Sequence, residues 1–159
     1  MKNLSPKAKR ILMILAQDEA RKIGSEKLLP EHVLLALLNM KDGLGYQTLE
    51  KLGLDIELLK DLLIKSFEGE IKNPTLDTIP KSRRYQFMMD IADIESSALH
   101  NDYIGTEHIL LAAVRDEDGV AYSFFQKSGY NIMDARFTVM DLQSEGKSSG
   151  SWLRSLRSF

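Results

Sequence analysis

The sequence contains no cysteine, and this absence excludes several kinds of structure and chemistry. Its 159 residues supply no thiol for a disulfide framework, a thiolate metal site or a cysteine nucleophile. No apolar run approaches the roughly 20 residues that a membrane-spanning helix requires. Proline occurs only four times and tryptophan once. Because proline interrupts helices, its scarcity leaves room for long uninterrupted helical segments.

An excess of charge of one sign is also missing. Lys and Arg number 21 and Asp and Glu number 23, so the net charge is −2. A nucleic-acid-binding protein usually carries a basic excess. The first ten residues, MKNLSPKAKR, lack the apolar core of a signal peptide. We therefore expect a cytoplasmic protein that binds neither nucleic acids nor membranes.

The apolar residues of the first half follow a helical period. From Ala8 to Ala20 they recur at steps of three and four, which predicts a helix over 6–23 that ends at Gly24. The same pattern predicts three more helices, one from Pro30 to just before residue 43, one ending near residue 52, and one starting at residue 55. Residues 68–79 have no period and contain both Gly and Pro, so this stretch is predicted to be a linker.

A second series of four helices is predicted after the linker, over 81–99, 107–115, 120–127 and 132–142. Residues 31–56 and 107–132 share eleven identities in 26 positions when aligned without gaps. Random pairing would give about one or two. Identity at this level over a fixed offset indicates a tandem duplication.

The duplication predicts the fold class. We expect an all-α protein in which two pseudo-symmetric four-helix units, about 4–67 and 80–143, form one domain over residues 1–143. A single unit of this size has difficulty burying its apolar faces alone, and two packed copies do not. No stretch shows the alternation of a half-buried strand.

The repeated motif resembles a known family. The segment PEHVLLALL (30–38) and its counterpart GTEHILLAAV (105–114) are similar to the Clp N-terminal repeat domain, which precedes the ATPase modules of ClpC- and ClpA-type unfoldases. The resemblance covers about residues 4–143. It departs from the family pattern at Leu29-Pro30, where the family has Gly-Thr, and in the helix over 82–100. The ATPase modules that normally follow are not in this sequence.

The resemblance implies a role for the glutamate of each motif. In ClpC-like domains this glutamate lies in a pocket that binds phosphorylated arginine on proteins marked for degradation, which here implies Glu31 and Glu107. The implied phosphate partners are the starts of the first helix of each repeat and the first turn of the motif helix: Ser5, Pro6, Lys7, Lys81, Ser82, Arg83 and Thr106. The residues themselves allow a simpler interpretation, since a glutamate in a first turn stabilises the helix dipole and Thr106 is a good N-cap.

Catalytic and metal chemistry find little support in the sequence. The segment DLQSEGKS (141–148) ends in Gly-Lys-Ser, but a nucleotide loop requires a leading glycine and a preceding strand, and both are missing. The spacing of His32, His100 and His108 is not that of metal ligands, and we expect hydrogen-bonded histidines in the first turns of helices. We therefore predict no enzyme activity, no cofactor and no metal.

The last residues, 144–159, are predicted to be a flexible tail. A Gly/Ser-rich stretch precedes Trp152, Leu156 and Phe159, which share one face of a short helix. We expect this face to bind a partner of the Clp system; the alternatives are that it packs on its own domain or is a frayed terminus without function.

The functional hypothesis is a binding domain that recognises substrates or adaptors for a Clp protease system, either free-standing or as part of an ATPase. The alternative is a structural accessory that docks on the Clp protease or ATPase ring without reading substrates.

Overall fold

The computed structural model describes residues 2–69 and 77–147, and most of these residues are helical. In the first repeat, helix α1 (Pro6–Arg10), a π-helical turn (Ile11–Leu15) and α2 (Ala16–Ile23) form one continuous rod, followed by α3 (Pro30–Met40), α4 (Leu44–Lys51) and α5 (Ile56–Lys65). The second repeat comprises α6 (Arg83–Ala98), α7 (Thr106–Arg115), α8 (Val120–Lys127) and α9 (Ile132–Lys147). Counting the rod as one helix, the described chain has four helices in each repeat, and the all-α prediction is confirmed.

The first helix of the first repeat is one residue longer than that of the second, measured from the N-cap to the left-handed residue that follows the helix. The N-cap Ser5 is nineteen positions before Gly24, which ends the rod in the left-handed conformation (φ 78°). The N-cap Ser82 is eighteen positions before His100, which adopts the same conformation (φ 59°). The π-helical turn Ile11–Leu15 absorbs the extra residue, because a π turn inserts one residue into an α-helix. The repeats are therefore offset by 77 residues before this turn and by 76 after it.

Two short strands join the repeats crosswise. Strand β1 (Asn3–Leu4) precedes the rod of the first repeat and pairs in parallel with β2 (Tyr103–Ile104), which precedes α7 of the second. The reciprocal contact is a single bridge between Leu28, before α3, and Lys81, before α6. The sequence patterns predicted no strand, because two-residue strands are too short to show an alternating pattern. Each repeat thus begins by hydrogen bonding to the other.

The motif helices α3 and α7 form the centre of the domain. All residues of α3 from Pro30 to Leu38 and all residues of α7 from Thr106 to Val114 are buried. The two helices contact each other, α2 packs on α3, and α6 packs on α7. A helix that is apolar on every side must be enclosed by other elements, which explains why the repeated motif is almost continuously hydrophobic.

Both motif histidines fix the start of their helices, as predicted. The Nδ1 atoms of His32 and His108 accept the backbone N–H of Leu29 and Gly105, each at 2.9 Å. The ring proton is therefore on Nε2, which lies 2.9 Å from Ser25 Oγ in the first repeat and 2.7 Å from Asn101 Oδ1 in the second. His32 also stacks on Phe67 with ring centroids 4.3 Å apart.

The last helix is longer than predicted. The prediction ended it near Leu142, but α9 continues to Lys147, so residues 141–147 of the Gly-Lys-Ser segment are helical. Glu145 forms an ion pair with Lys51 of α4 at 2.5 Å, and this contact holds the extra turn against the first repeat. Among the described residues, no helix is both long and apolar enough to cross a membrane.

Gly45 allows the close approach of α4 to α7. A Cβ atom at this position would lie 2.7 Å from the backbone oxygen of Thr106, which cannot rotate away. Replacing Gly by Ala inside a helix normally stabilises the helix by about 1 kcal/mol. We expect the Gly45→Ala variant instead to lose about 1–2 kcal/mol in its free energy of unfolding, because overpacking forces the helices apart. Urea denaturation measures this, and a stabilised variant would contradict the packing argument.

Candidate functional site

The crosswise strands sort the predicted site residues into two clusters. We call residues 28–31 together with 80–84 the first junction, and residues 3–7 together with 103–107 the second junction. At the first, the backbone N–H of Ser82 donates to the carbonyl of Leu28 at 3.0 Å. At the second, the backbone N–H of Ser5 donates to the carbonyl of Ile104 at 2.9 Å. Each junction therefore combines the motif glutamate of one repeat with the first-helix start of the other.

The structure assigns most hydroxyl groups of the predicted site to structural hydrogen bonds. Ser5 and Ser82 are N-caps, and their side chains accept the backbone N–H of Ala8 and Tyr85. The prediction that Thr106 is an N-cap is wrong, because α7 begins one residue earlier and Gly105 is its N-cap. The Thr106 hydroxyl instead accepts the backbone N–H of Gly45 at 2.9 Å and joins α7 to α4.

At the first junction, Glu31 is held by an arginine. Its carboxylate is 5% exposed and accepts both terminal N–H groups of Arg84, at 2.9 and 3.0 Å. The same guanidinium donates to Asp116 Oδ2 from Nη2 at 2.6 Å and from Nε at 3.1 Å. A bidentate pair of this kind is among the stronger charge-assisted hydrogen-bonding arrangements. Glu31 is thus fully engaged by its own chain.

At the second junction, Glu107 has no cation of the described residues in hydrogen-bonding contact. Its side chain is fully buried, and Oε2 accepts the Tyr103 hydroxyl at 2.8 Å and the Gln143 amide at 3.2 Å. Within the described chain, Oε1 is buried with no hydrogen-bond partner. Burial raises the pKa of Glu107, although its own backbone N–H and the bonds from Tyr103 and Gln143 oppose the shift. A carboxyl group in this position favours its neutral form or an added donor.

One substitution between the repeats explains why the equivalent glutamates differ. A Cβ atom on Gly105 would overlap Glu107 Oε1 and lie 2.9 Å from the Tyr103 ring. In the first repeat the equivalent residue is Leu29, so a side chain occupies the place that the Glu107 carboxylate takes in the second. The glutamate of the first repeat then turns toward Arg84.

The cations of the two junctions also differ. With the π turn taken into account, Lys7 is the counterpart of Arg84, although a constant offset would have aligned it with Arg83. Lys7 Nζ pairs with Asp42 of its own repeat at 3.0 Å. Lys81, Ser82 and Arg83 lie at the start of α6 as predicted, but the side chain that binds Glu31 is that of Arg84.

A groove runs between the first two helices of each repeat, next to the junction. The groove of the first repeat has a volume of about 580 Å³ and is lined by Lys7 and Arg10 among others. The groove of the second, about 410 Å³, is lined by their counterparts Arg84 and Phe87. Phe87 is 66% exposed, so the second groove offers an aromatic surface where the first offers a cation.

A comparison with known families identifies the domain. The sequence matches the model of the Clp repeat (R) N-terminal domain over residues 3–140. The chain belongs to this family. The resemblance read from the Glu-His-hydrophobic-Leu-Leu motifs is thereby confirmed, and the Clp N-domain accounts for nearly all described residues.

Curated relatives of this Clp N-domain are much longer proteins. It is 31% identical over 137 residues to the chaperone protein ClpB of Oceanobacillus iheyensis, covering 86% of this chain and 17% of that protein. It is 30% identical over 141 residues to the negative regulator of genetic competence ClpC/MecB of Bacillus subtilis, covering 88% and 17%. The chain thus spans about a sixth of the length of these relatives.

Solved structures of Clp N-domains share the fold. The Hsp104 N-terminal domain from Candida albicans superposes with a TM-score of 0.73 at 18% identity, covering 94% of this chain and 93% of that one. The N-domain of ClpV from Vibrio cholerae superposes with a TM-score of 0.72 at 20% identity, covering 87% and 86%. At these identities the likeness establishes the fold alone.

Sequence reasoning missed several site residues of this Clp N-domain, namely Arg84, Tyr103, Asp116 and Gln143. A correction of one residue in the repeat alignment would have pointed to Arg84, since it places that residue opposite Lys7. The predicted tail residues Trp152, Leu156 and Phe159 lie outside the described residues, and their role stays a prediction.

Proposed function

We propose that this Clp N-domain recognises substrate or adaptor proteins for a Clp unfoldase or protease, as part of a ClpC-like ATPase or as a separate protein. It acts by binding and not by catalysis, in the cytoplasm. The observation that carries the proposal is the duplicated junction, at which a buried glutamate of one repeat meets the first-helix start of the other. Packing alone does not require a carboxylate at either place.

We further propose that the ligand is phosphoarginine on marked proteins, bound at the second junction. The unpartnered Oε1 of Glu107 supports this assignment, because it can accept an N–H group of a guanidinium. Lys7, at the start of the rod, supplies a cation for the phosphoryl group once it leaves Asp42. Because Glu107 is fully buried under Tyr103 and Gly105, the ligand reaches it only after the Tyr103 ring turns away.

Calorimetric titration with a phosphoarginine peptide tests this assignment. We expect Glu107→Gln to weaken binding by about 1.5–3 kcal/mol, the value of a charge-assisted hydrogen bond, with little loss of stability because burial already favours the neutral form. Glu31→Gln is the matched control and should have a smaller effect, since Arg84 already occupies that carboxylate. Equal affinity of wild type and Glu107→Gln would overturn the phosphoarginine assignment.

The alternative, an accessory that docks on the Clp ring without reading substrates, is supported by α9. Met133, Phe137 and Met140 lie at helical spacing on this helix, and each is about half exposed. If neither the phosphorylated nor the unmodified peptide binds the isolated domain, this alternative is favoured.

A further inference from the structure

The first junction contains a guanidinium that the chain itself supplies. We propose that Arg84 is an internal competitor, which closes the first junction to outside ligands by occupying Glu31 in the manner of a ligand arginine. This inference rests on the proposed function, since it concerns the regulation of one of the two junctions.

The guanidinium of Arg84 is hydrogen-bonded to both Glu31 and Asp116. Nη1 and Nη2 donate to the two oxygens of Glu31, and Nη2 and Nε donate to Asp116 Oδ2. The carboxylate of Glu31 is almost completely buried, so a second guanidinium has no space beside the first. An outside ligand can bind Glu31 only by displacing Arg84.

The second junction shows that this closure is not a general feature of the fold. Lys7, the counterpart of Arg84, pairs with Asp42 of its own repeat. Among the described residues, Oε1 of Glu107 has no hydrogen-bond partner. The duplicated sites have therefore diverged, one with an internal cation and one without.

Arg84 has a route out of the junction. Its side chain is 36% exposed, and it lines the groove of the second repeat together with Glu117 and Asp118. These carboxylates are able to receive the displaced guanidinium. The vacated place between Glu31 and Asp116 suits an unmodified arginine side chain, because Asp116 would repel a phosphoryl group attached to it.

Titration with N-acetylarginine amide, followed by the backbone amide signals of Glu31 and Val33 in NMR spectra, tests the inference. We expect Arg84→Ala to bind this probe at least about tenfold more tightly than wild type. In wild type only the small fraction of molecules in which Arg84 has left Glu31 can bind the probe, and the apparent affinity is reduced to that fraction. The double variant Glu31→Ala/Arg84→Ala should lose the gain. Binding to Arg84→Ala that is equal to or weaker than binding to wild type would overturn the inference.

Arg84→Gln is a second variant, which removes the cation but keeps a polar side chain at this position and leaves both Glu31 and Asp116 in place. It should give an intermediate gain in affinity, even if Arg84→Ala folds poorly. Arg83→Ala, which removes the neighbouring exposed cation, is the matched control and should bind as wild type does. The inference fails if Arg84→Gln shows no gain. The probe carries no phosphate, so this titration is independent of the phosphoarginine experiment. If Glu107→Gln does not weaken binding of the phosphoarginine peptide, the phosphoarginine assignment fails, but the expected gain of probe affinity in Arg84→Ala is unaffected.

Discussion

Lowering the pH from 7.5 to 4.5 should reduce the free energy of unfolding by about 5 kcal/mol through His32 and His108 alone. Both side chains are fully buried. Burial lowers the pKa of His32 to about 4 and that of His108 to about 3, the latter with a smaller contribution from the charge of Lys2. Protonation of Nδ1 would also turn the atom that accepts a backbone N–H into a donor.

The direction of the effect follows from where each state binds protons. In the unfolded chain both histidines take up a proton near pH 6.5. In the folded chain they stay neutral until the pH approaches 4 for His32 and 3 for His108. Between these values the unfolded state holds more protons, so stability is complete above about pH 6.5 and is lost as the pH falls. Glu107 acts in the opposite direction, because burial raises its pKa.

Urea denaturation at the two pH values measures the loss. In the variant His32→Gln/His108→Gln, whose side chains cannot be protonated in this range, the loss should shrink by about the same 5 kcal/mol. The variant Glu107→Gln should lose more free energy of unfolding than wild type between the two pH values, because it lacks the opposing contribution of Glu107. An unchanged pH dependence in the double histidine variant would show that other groups cause the acid sensitivity.

Replacing Arg136 by Met should lower the free energy of unfolding by about 3 kcal/mol. Arg136 of α9 donates to both oxygens of Glu95, at 2.6 to 3.2 Å, and Glu95 on α6 is only 1% exposed. Among the described residues, the other ion pair of Glu95, with Arg115 at 3.3 Å, is longer and weaker. Removing one partner of a buried pair leaves a charge without compensation, which costs several kcal/mol.

The first repeat offers a matched control for this change. Glu19 is the counterpart of Glu95, but its cation Lys22 is 73% exposed and lies 3.8 Å away. Lys22→Met should therefore change the free energy of unfolding by less than about 0.5 kcal/mol. Thermal unfolding of the two variants side by side measures the difference. A loss of stability as large in Lys22→Met as in Arg136→Met would show that burial of the glutamate is not the cause.

Features that depend on neighbouring residues were predictable from the sequence. The Glu-His motif recurs with glycines at helix ends. This recurrence predicted the duplication, the helix starts to within about one residue, and the structural role of His32 and His108. A ring nitrogen three residues after the N-cap reaches its backbone N–H by local geometry alone. The place of Pro30 in the first turn of α3 also followed from a local rule.

Features that depend on distant residues were not predictable in the same way. The Glu107 network draws on Tyr103 and on Gln143, which comes from α9 and is 36 residues away. Glu31 meets Arg84 across 53 residues. Neither partner has a repeated counterpart of the same type, so the comparison of the two repeats gave no signal for them. The bridge between Leu28 and Lys81 brings Arg84 to Glu31, and the packing of α9 on α7 brings Gln143 to Glu107. Neither arrangement leaves a periodic pattern in the sequence.

The crosswise strands also govern the order in which the protein can fold during synthesis. Residues 3 and 4 emerge from the ribosome a hundred residues before their partners, residues 103 and 104. The first repeat can gather its helices early, but its leading segment has no strand to pair with until about a hundred further residues have been made. Long sequence separation between contacting residues slows folding. The nascent first repeat is therefore an incomplete unit, and the second repeat completes it.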